Sequence, residues 1–201
     1  ARDFENIKAQ YGGNAGAALA VLTKQRVLIA QMKVPHTMAL AKEILDRGEK
    51  VLVFSNFRTC CQSLYAGLDA HLKAQDPDFE VVRIMGDDNG AAIMNAVAQF
   101  KDPENPARAM VIAAKKGGTG VSLENSTQNV IMNDFDWSPY IAEQTEGRAF
   151  RITNVMPVNT KYMVVKGPDG RLSPDEVFYK FVRSKIKIAQ IIQNLDSEAE
   201  E

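Results

Sequence analysis

Cysteine is nearly absent from these 201 residues: there are two, Cys60 and Cys61, side by side. Adjacent cysteines match neither a zinc-ligand spacing nor a disulfide framework. Histidine is as scarce, with His36 and His71 in helix-patterned, structural settings, and no Ser/His/Asp or Cys/His set for nucleophilic catalysis is apparent. Charge of one sign is lacking too. Lys+Arg 24 against Asp+Glu 25 leaves a net charge of −1, so no global field draws the chain to nucleic acid or to a membrane. Any polyanion site must be a local arrangement of cations and backbone N–H groups. No apolar run approaches the roughly 18 residues of a membrane span. The opening ARDFENIKAQ has no signal-peptide core, so a cytoplasmic or otherwise intracellular location is expected, with no membrane partner. No G-x-x-x-x-G-K-[ST] occurs anywhere, and no G-x-G-x-x-G opens the first helix, which leaves out a phosphate loop and a dinucleotide fingerprint. Internal repeats and low-complexity tracts are missing as well.

What is present reads as an α/β domain. An apolar fraction of 45% and a charged fraction of 24% are those of a globular chain able to bury one core. Five β-rich apolar runs stand out: VLVF (51–54), VVRI (81–84), MVIAA (110–114), NVIM (129–132) and YMVV (162–165). Helix-length segments such as 59–74 and 90–101 lie between several of them, the pattern of a mainly parallel sheet flanked by helices. Residues 1–48 form a helical lead-in, expected as two helices separated by Pro35, with Gly48 ending the second. The main body spans 49–195. Its last helix is announced by Ser173-Pro174-Asp175-Glu176, an N-cap, a first-turn proline and a capping-box glutamate, and should run to about Leu195. GPDGRLS (167–173) is a turn-rich connection, and the acidic tail 196–201 is expected to be disordered.

One stretch poses a chemical question. In QTEGRAFR (144–151), following the helix start at Ser138-Pro139, Gln144, Gly147, Arg148 and Arg151 share one side of a helix. An interior glycine costs about 1 kcal/mol relative to alanine. Here its use would be to let a bulky group approach the backbone while arginines reach around it. Guanidinium pairs bidentately with phosphate oxygens and stays charged at any working pH. A triphosphate accounts for all four positions; solvated surface is the plainer alternative. Upstream, KKGGTG (115–120) follows the third apolar run, so Gly118 and Gly120 lie at the carboxyl edge of the sheet, where successive N–H groups can face an anion; a flexible turn is the alternative. The aspartates of NDFDWSP (133–139) read as capping or turn residues rather than metal ligands, and DDNG (87–90) lacks the partners for a metal site. No metal ligands are assigned.

The ordered set VLVFSNF, MVIAAKKGGTGVSL, VIMNDFDWSP, QTEGRAFRI and PVNTKYMVV resembles the second, C-terminal RecA-like lobe of superfamily 2 helicases, most closely the Snf2 branch of ATP-dependent DNA translocases. The likeness covers about residues 50–190, and LIAQMKVPHTMALAKEIL is similar to the way that lobe begins in Snf2 relatives. It implies that VLVFSNF is motif IV, AAKKGGTGVSL motif V and QTEGRAFR motif VI. Arg151 would then be the arginine finger toward ATP, Arg148 would pair with phosphate or brace the interface, and Gln144 would orient the site, with Gly147, Gly118 and Gly120 allowing close approach. A positioned guanidinium that neutralises charge on a transferring phosphoryl group is worth about 10³–10⁵ in rate. Ser55, Asn56 and Arg58 of motif IV, with Lys115 and Lys116 of motif V, are the candidates for a duplex DNA track; a solvated loop is the alternative for the lysines. Small polar groups and N–H donors suit phosphate tracking without base readout.

Three positions depart from the family pattern. The strand before the glycines ends Ala113-Ala114 where relatives have Ser-Thr, Ile93 stands near a usual arginine, and Thr153-Asn154 replaces Gly-Gln. A complete enzyme of this class also needs a first lobe with a phosphate loop, its lysine and an acidic pair holding Mg²⁺. None is visible, and the chain begins at Ala1 rather than methionine, so it is expected to be one half of a two-lobe ATPase, inactive alone, with ATP and Mg²⁺ held mainly by an N-terminal RecA-like lobe. The alternatives are the same lobe of a strand-separating DNA or RNA helicase, and a non-catalytic nucleotide-sensing module.

Overall fold

The computed structural model of the chain describes residues 15–113, 122–136 and 157–199. Their centre is a five-stranded parallel sheet: β1 (Val51–Ser55), β2 (Glu80–Ile84), β3 (Ala107–Ala113), β4 (Asn129–Met132) and β5 (Asn159–Tyr162), in the spatial order β2-β3-β1-β4-β5. Around it stand α1 (Ala15–Asp46), α2 (Arg58–Gln75), α3 (Gly90–Lys101) and α4 (Pro174–Ala199).

Strand side chains alternate between the two faces. On one face Leu52, Phe54, Met110, Ile112, Val130 and Met132 meet Ile93, Val97 and Phe100 of α3. On the other Val51, Val53, Ala109, Val111 and Ile131 meet Ala41 and Ile44 of α1 and Leu64, Leu68 and Leu72 of α2. Because both faces are covered, β1 and β4 are buried at every residue, which is why they read as unbroken apolar runs.

Three elements differ from the sequence expectation: the lead-in, the fifth strand and the end of the last helix. The lead-in is one helix, α1, that continues through Pro35 rather than two helices divided by it. An interior proline removes a helical hydrogen bond and crowds the preceding turn at a cost of about 3 kcal/mol. Tertiary anchors on either side offset that cost. Lys33 pairs with Asp175 at 3.0 Å, and Thr37 Oγ1 donates to Asn133 Oδ1 at 2.6 Å. The fifth strand is Asn159–Tyr162, upstream of most of YMVV. Its partner β4 ends at Met132, and farther along the Val165 N–H donates instead to Asp175 Oδ2 at 2.9 Å.

The helix α4 begins as its sequence signals. Glu176 N donates to Ser173 Oγ at 3.0 Å, and Ser173 N donates back to Glu176 Oε2 at 2.8 Å. The helix runs to Ala199, beyond the expected end near Leu195 and into the acidic tail, whose Glu and Ala residues are good helix formers. Its first turns are seated by Tyr179, whose ring centroid lies 5.2 Å from Phe135 and 5.6 Å from Tyr162, and by buried Val182. No helix among the described residues is long and apolar enough to cross a membrane.

Candidate functional site at the carboxyl edge of the sheet

After β1 the chain turns toward the β2 side of the sheet, while β4 leads on to β5 at the opposite edge. Neighbouring strands whose continuations part in this way open a crevice at their carboxyl ends, the usual ligand position in such sheets. The residues standing there are Ser55, the last of β1, with Asn56 after it, and Asn133 and Asp134 after β4.

Asp134 organises them. Its carboxylate is almost completely buried and accepts from the Ser55 hydroxyl, from Asn56 N at 2.8 Å, from Asn56 Nδ2 at 2.9 Å and from Asn133 Nδ2 at 3.1 Å. Asn133 also donates to Ala30 O at 3.2 Å and accepts from Thr37, which ties the end of β4 to α1. A buried carboxylate costs several kcal/mol unless its lone pairs are met by donors. Here they are met by the two residues proposed to track DNA. Ser55 is fully buried with its hydroxyl donating to Asp134, and the half-buried Asn56 side-chain amide donates to the same carboxylate. The Asn56 side-chain carbonyl faces away from the carboxylate, buried and without a hydrogen-bond partner among the described residues.

Arg58 is different. It opens α2 with its side chain exposed and pairs with equally exposed Asp87 at 3.0 Å. Hydrogen bonding from its own backbone, then from Arg58, holds Asp87 below the usual carboxylate range. A surface pair of this kind contributes little and yields readily to another anion. Of the DDNG turn, Asp88 accepts from Met85 N at 2.6 Å and Asn89 caps α3 through Ala92 N, so these side chains serve the turn. Ile93 lies in the core against the sheet. His71 contacts Asp46 at 2.8 Å, a link between α2 and α1.

Beside Asp134 lies a pocket of about 110 Å³ lined by Leu22, Arg26, Ile29, Phe57, Phe135 and Phe178, among others. Arg26 donates to Phe135 O and stacks over Phe178 at 4.8 Å. Burial pulls its pKa down, against the raising pull of Asp136, Asp134 and Asp175. Lys33, also lining this pocket, is nine-tenths or more buried and donates to both oxygens of Asp175 and to Met163 O. The carboxylates of Asp134 and Asp175 are thus committed to protein donors, which does not suit them to hold Mg²⁺. Gln144, Gly147, Arg148 and Arg151, together with Lys115, Lys116, Gly118 and Gly120, lie outside the described residues, as do Ala114, Thr153 and Asn154.

The match to known families covers this edge. The model of the helicase conserved C-terminal domain matches residues 36–153, more than half of the chain. The chain belongs to that family. Among curated relatives, the ATP-dependent helicase ULS1 of Saccharomyces cerevisiae is 26% identical over 67% of the chain and 8% of its own length. The SNF2 domain-containing protein CLASSY 3 of Arabidopsis thaliana is 31% identical over 61% of the chain and 9% of its own length. The probable ATP-dependent DNA helicase CHR23 of the same plant is 25% identical over 89% of the chain and 16% of its own length. The chain therefore spans a small part of each of these relatives. The C-terminal part of the Fun30 ATPase domain shares the fold, with a TM-score of 0.57 and 24% identity over 75% of the chain and 44% of that structure. This is a helicase C-terminal domain, similar to those of Snf2-type helicases and built as a RecA-like α/β lobe. Sequence reasoning foresaw the strands VLVF and NVIM that precede Ser55 and Asn133 but missed what joins them. The signal was present: an acidic residue, Asp134, two residues after an all-buried strand, where a carboxylate needs donors nearby.

Proposed function

We propose that the domain is the C-terminal motor lobe of an ATP-dependent translocase of the Snf2 type, moving on duplex DNA without necessarily unwinding it. The observation that carries the reading is the family match over 36–153, a span that holds motif IV, motif V and QTEGRAFR in order. ATP with Mg²⁺ would be held mainly by an N-terminal RecA-like lobe of the longer protein. When bound, the nucleotide supplies a phosphoryl group whose transfer to water releases the free energy for movement. Arg151 acts as the finger that neutralises charge developing on that group, Arg148 pairs with phosphate or braces the lobes, and Gln144 orients the site. Gly147, Gly118 and Gly120 leave room for close approach. Arg58, Lys115 and Lys116 face the strand phosphates, while Ser55 and Asn56 shape the turn that presents Arg58.

The test uses the full-length protein. Arg151→Ala should lower DNA-stimulated ATP hydrolysis by about 10³-fold or more, with DNA affinity kept within a few-fold. An unchanged rate overturns the assignment. Triplex displacement without strand separation supports a translocase, whereas unwinding of a forked duplex supports the strand-separating alternative. The isolated domain is expected to show no ATP turnover, because it carries no phosphate loop.

A further inference from the structure

The carboxylate that gathers Ser55, Asn56 and Asn133 is placed where β1, β4 and α1 meet, in the segment that leads toward QTEGRAFR. Each of its partners is a small polar group at or just beyond the end of a strand, with no role in covering the apolar core. Without Asp134 the Ser55 hydroxyl, at 0% exposure, would be an unpaired buried donor, and the exit of β1 would lose its backbone anchor through Asn56 N. Arg58 follows two residues after Asn56, so the direction in which it enters α2 depends on that anchor. We infer that Asp134 is a positioning residue: it binds the motif IV turn to the end of β4, so that the DNA-facing turn and the strand preceding motif VI are held as one unit.

The inference rests on the proposed motor function, but it makes its own geometric claim. A core-filling role would make Asp134 matter only for stability. A positioning role makes it matter for DNA engagement in molecules that remain folded. It also makes Ser55 and Asp134 interdependent, since both act through one hydrogen bond.

The experiment compares the full-length wild type with Asp134→Asn, Ser55→Ala and the double variant. The readouts are the half-saturating duplex DNA concentration and the KM for ATP in steady-state hydrolysis. Loss of a hydrogen bond to a charged group should raise the half-saturating DNA concentration about tenfold in Asp134→Asn, with the KM for ATP within about twofold. The double variant should be no worse than Asp134→Asn alone. A folded Asp134→Asn protein with wild-type DNA dependence, or strictly additive effects in the double variant, overturns the inference. Should Asp134→Asn fail to fold, Ser55→Ala, which removes one donor and no charge, must show the shift in DNA dependence by itself. Hydrogen exchange at the Asn56 amide separates this inference from the motor reading. If wild-type hydrolysis does not respond to DNA, the motor reading fails. The tie then stands if Asn56 exchanges about tenfold or more faster in the Asp134→Asn or Ser55→Ala variant, and falls if its rate is unchanged.

Discussion

Lys33 and Asp175 form a buried ion pair that is well furnished with further partners: the ammonium reaches Met163 O, and the carboxylate accepts from Val165 N. Replacing both by apolar groups would cost little, whereas removing one strands the other. Asp175→Ala is therefore expected to destabilise the domain by about 3–5 kcal/mol, and Lys33→Met·Asp175→Leu by distinctly less. Chemical denaturation of the single and double variants checks this, and equal losses in both would show that the charges are not the cause. The cysteines give a second prediction at this scale. Both are fully buried, and burial pushes the Cys61 thiol up to about 12 and the Cys60 thiol upward as well, with Asp134 adding to each. Thiolate is the reactive form. Native protein at neutral pH should thus resist a thiol-titrating disulfide reagent, and both sulfurs should react once it is unfolded.

Among elements, α1 and α4 show opposite relations between local signal and outcome. The capping box at Ser173 and Glu176 is local, and it forms as written. The backbone N–H groups of Ser173 and then of Gly167 hold the Glu176 carboxyl below its ordinary value near 4.5. A carboxyl with a depressed folded-state pKa stabilises above its unfolded pKa, and the benefit is lost as pH falls through the folded value. Glu176→Gln should accordingly lessen the loss of thermal stability between about pH 5 and the acid limit. An unaltered acid profile would show that the carboxylate does not help seat α4. In α1 the local signal is overridden. Pro35 is exposed within a helix that continues past it. Restoring the missing hydrogen bond with Pro35→Ala should stabilise the domain by about 1–3 kcal/mol, read as a higher denaturant midpoint with an unchanged slope. A lower midpoint would mean that the proline restricts the unfolded chain more than it strains the helix.

For the whole molecule, a net charge of −1 means that binding to a polyanion must come from a few cations gathered at one edge. Each phosphate neutralised on duplex DNA contributes about −0.9 to the slope of log affinity against log salt concentration. With Arg58, Lys115 and Lys116 as the candidate contacts, Arg58→Ala is expected to make the slope shallower by about 1 without changing sequence preference. An unchanged slope would remove Arg58 from the DNA track. The exposed pair with Asp87 does not oppose this role, because it is solvent-screened on both sides.

The sequence alone determined the inner strands, since strands covered on both faces, as β1 and β4 are, must be apolar through most of their length. It also determined the start of α4, because a capping box spans only a few neighbouring residues. What only the tertiary structure decided is how distant runs meet. Nothing near Pro35 signals that Lys33 and Thr37 will be anchored by Asp175 and Asn133, far along the chain, and so hold one helix through the proline. Nothing near Ser55 signals that its hydroxyl will be claimed by Asp134. A parallel sheet brings together strands from distant parts of the chain, so the partners of a buried polar group are chosen by strand order and not by sequence neighbourhood.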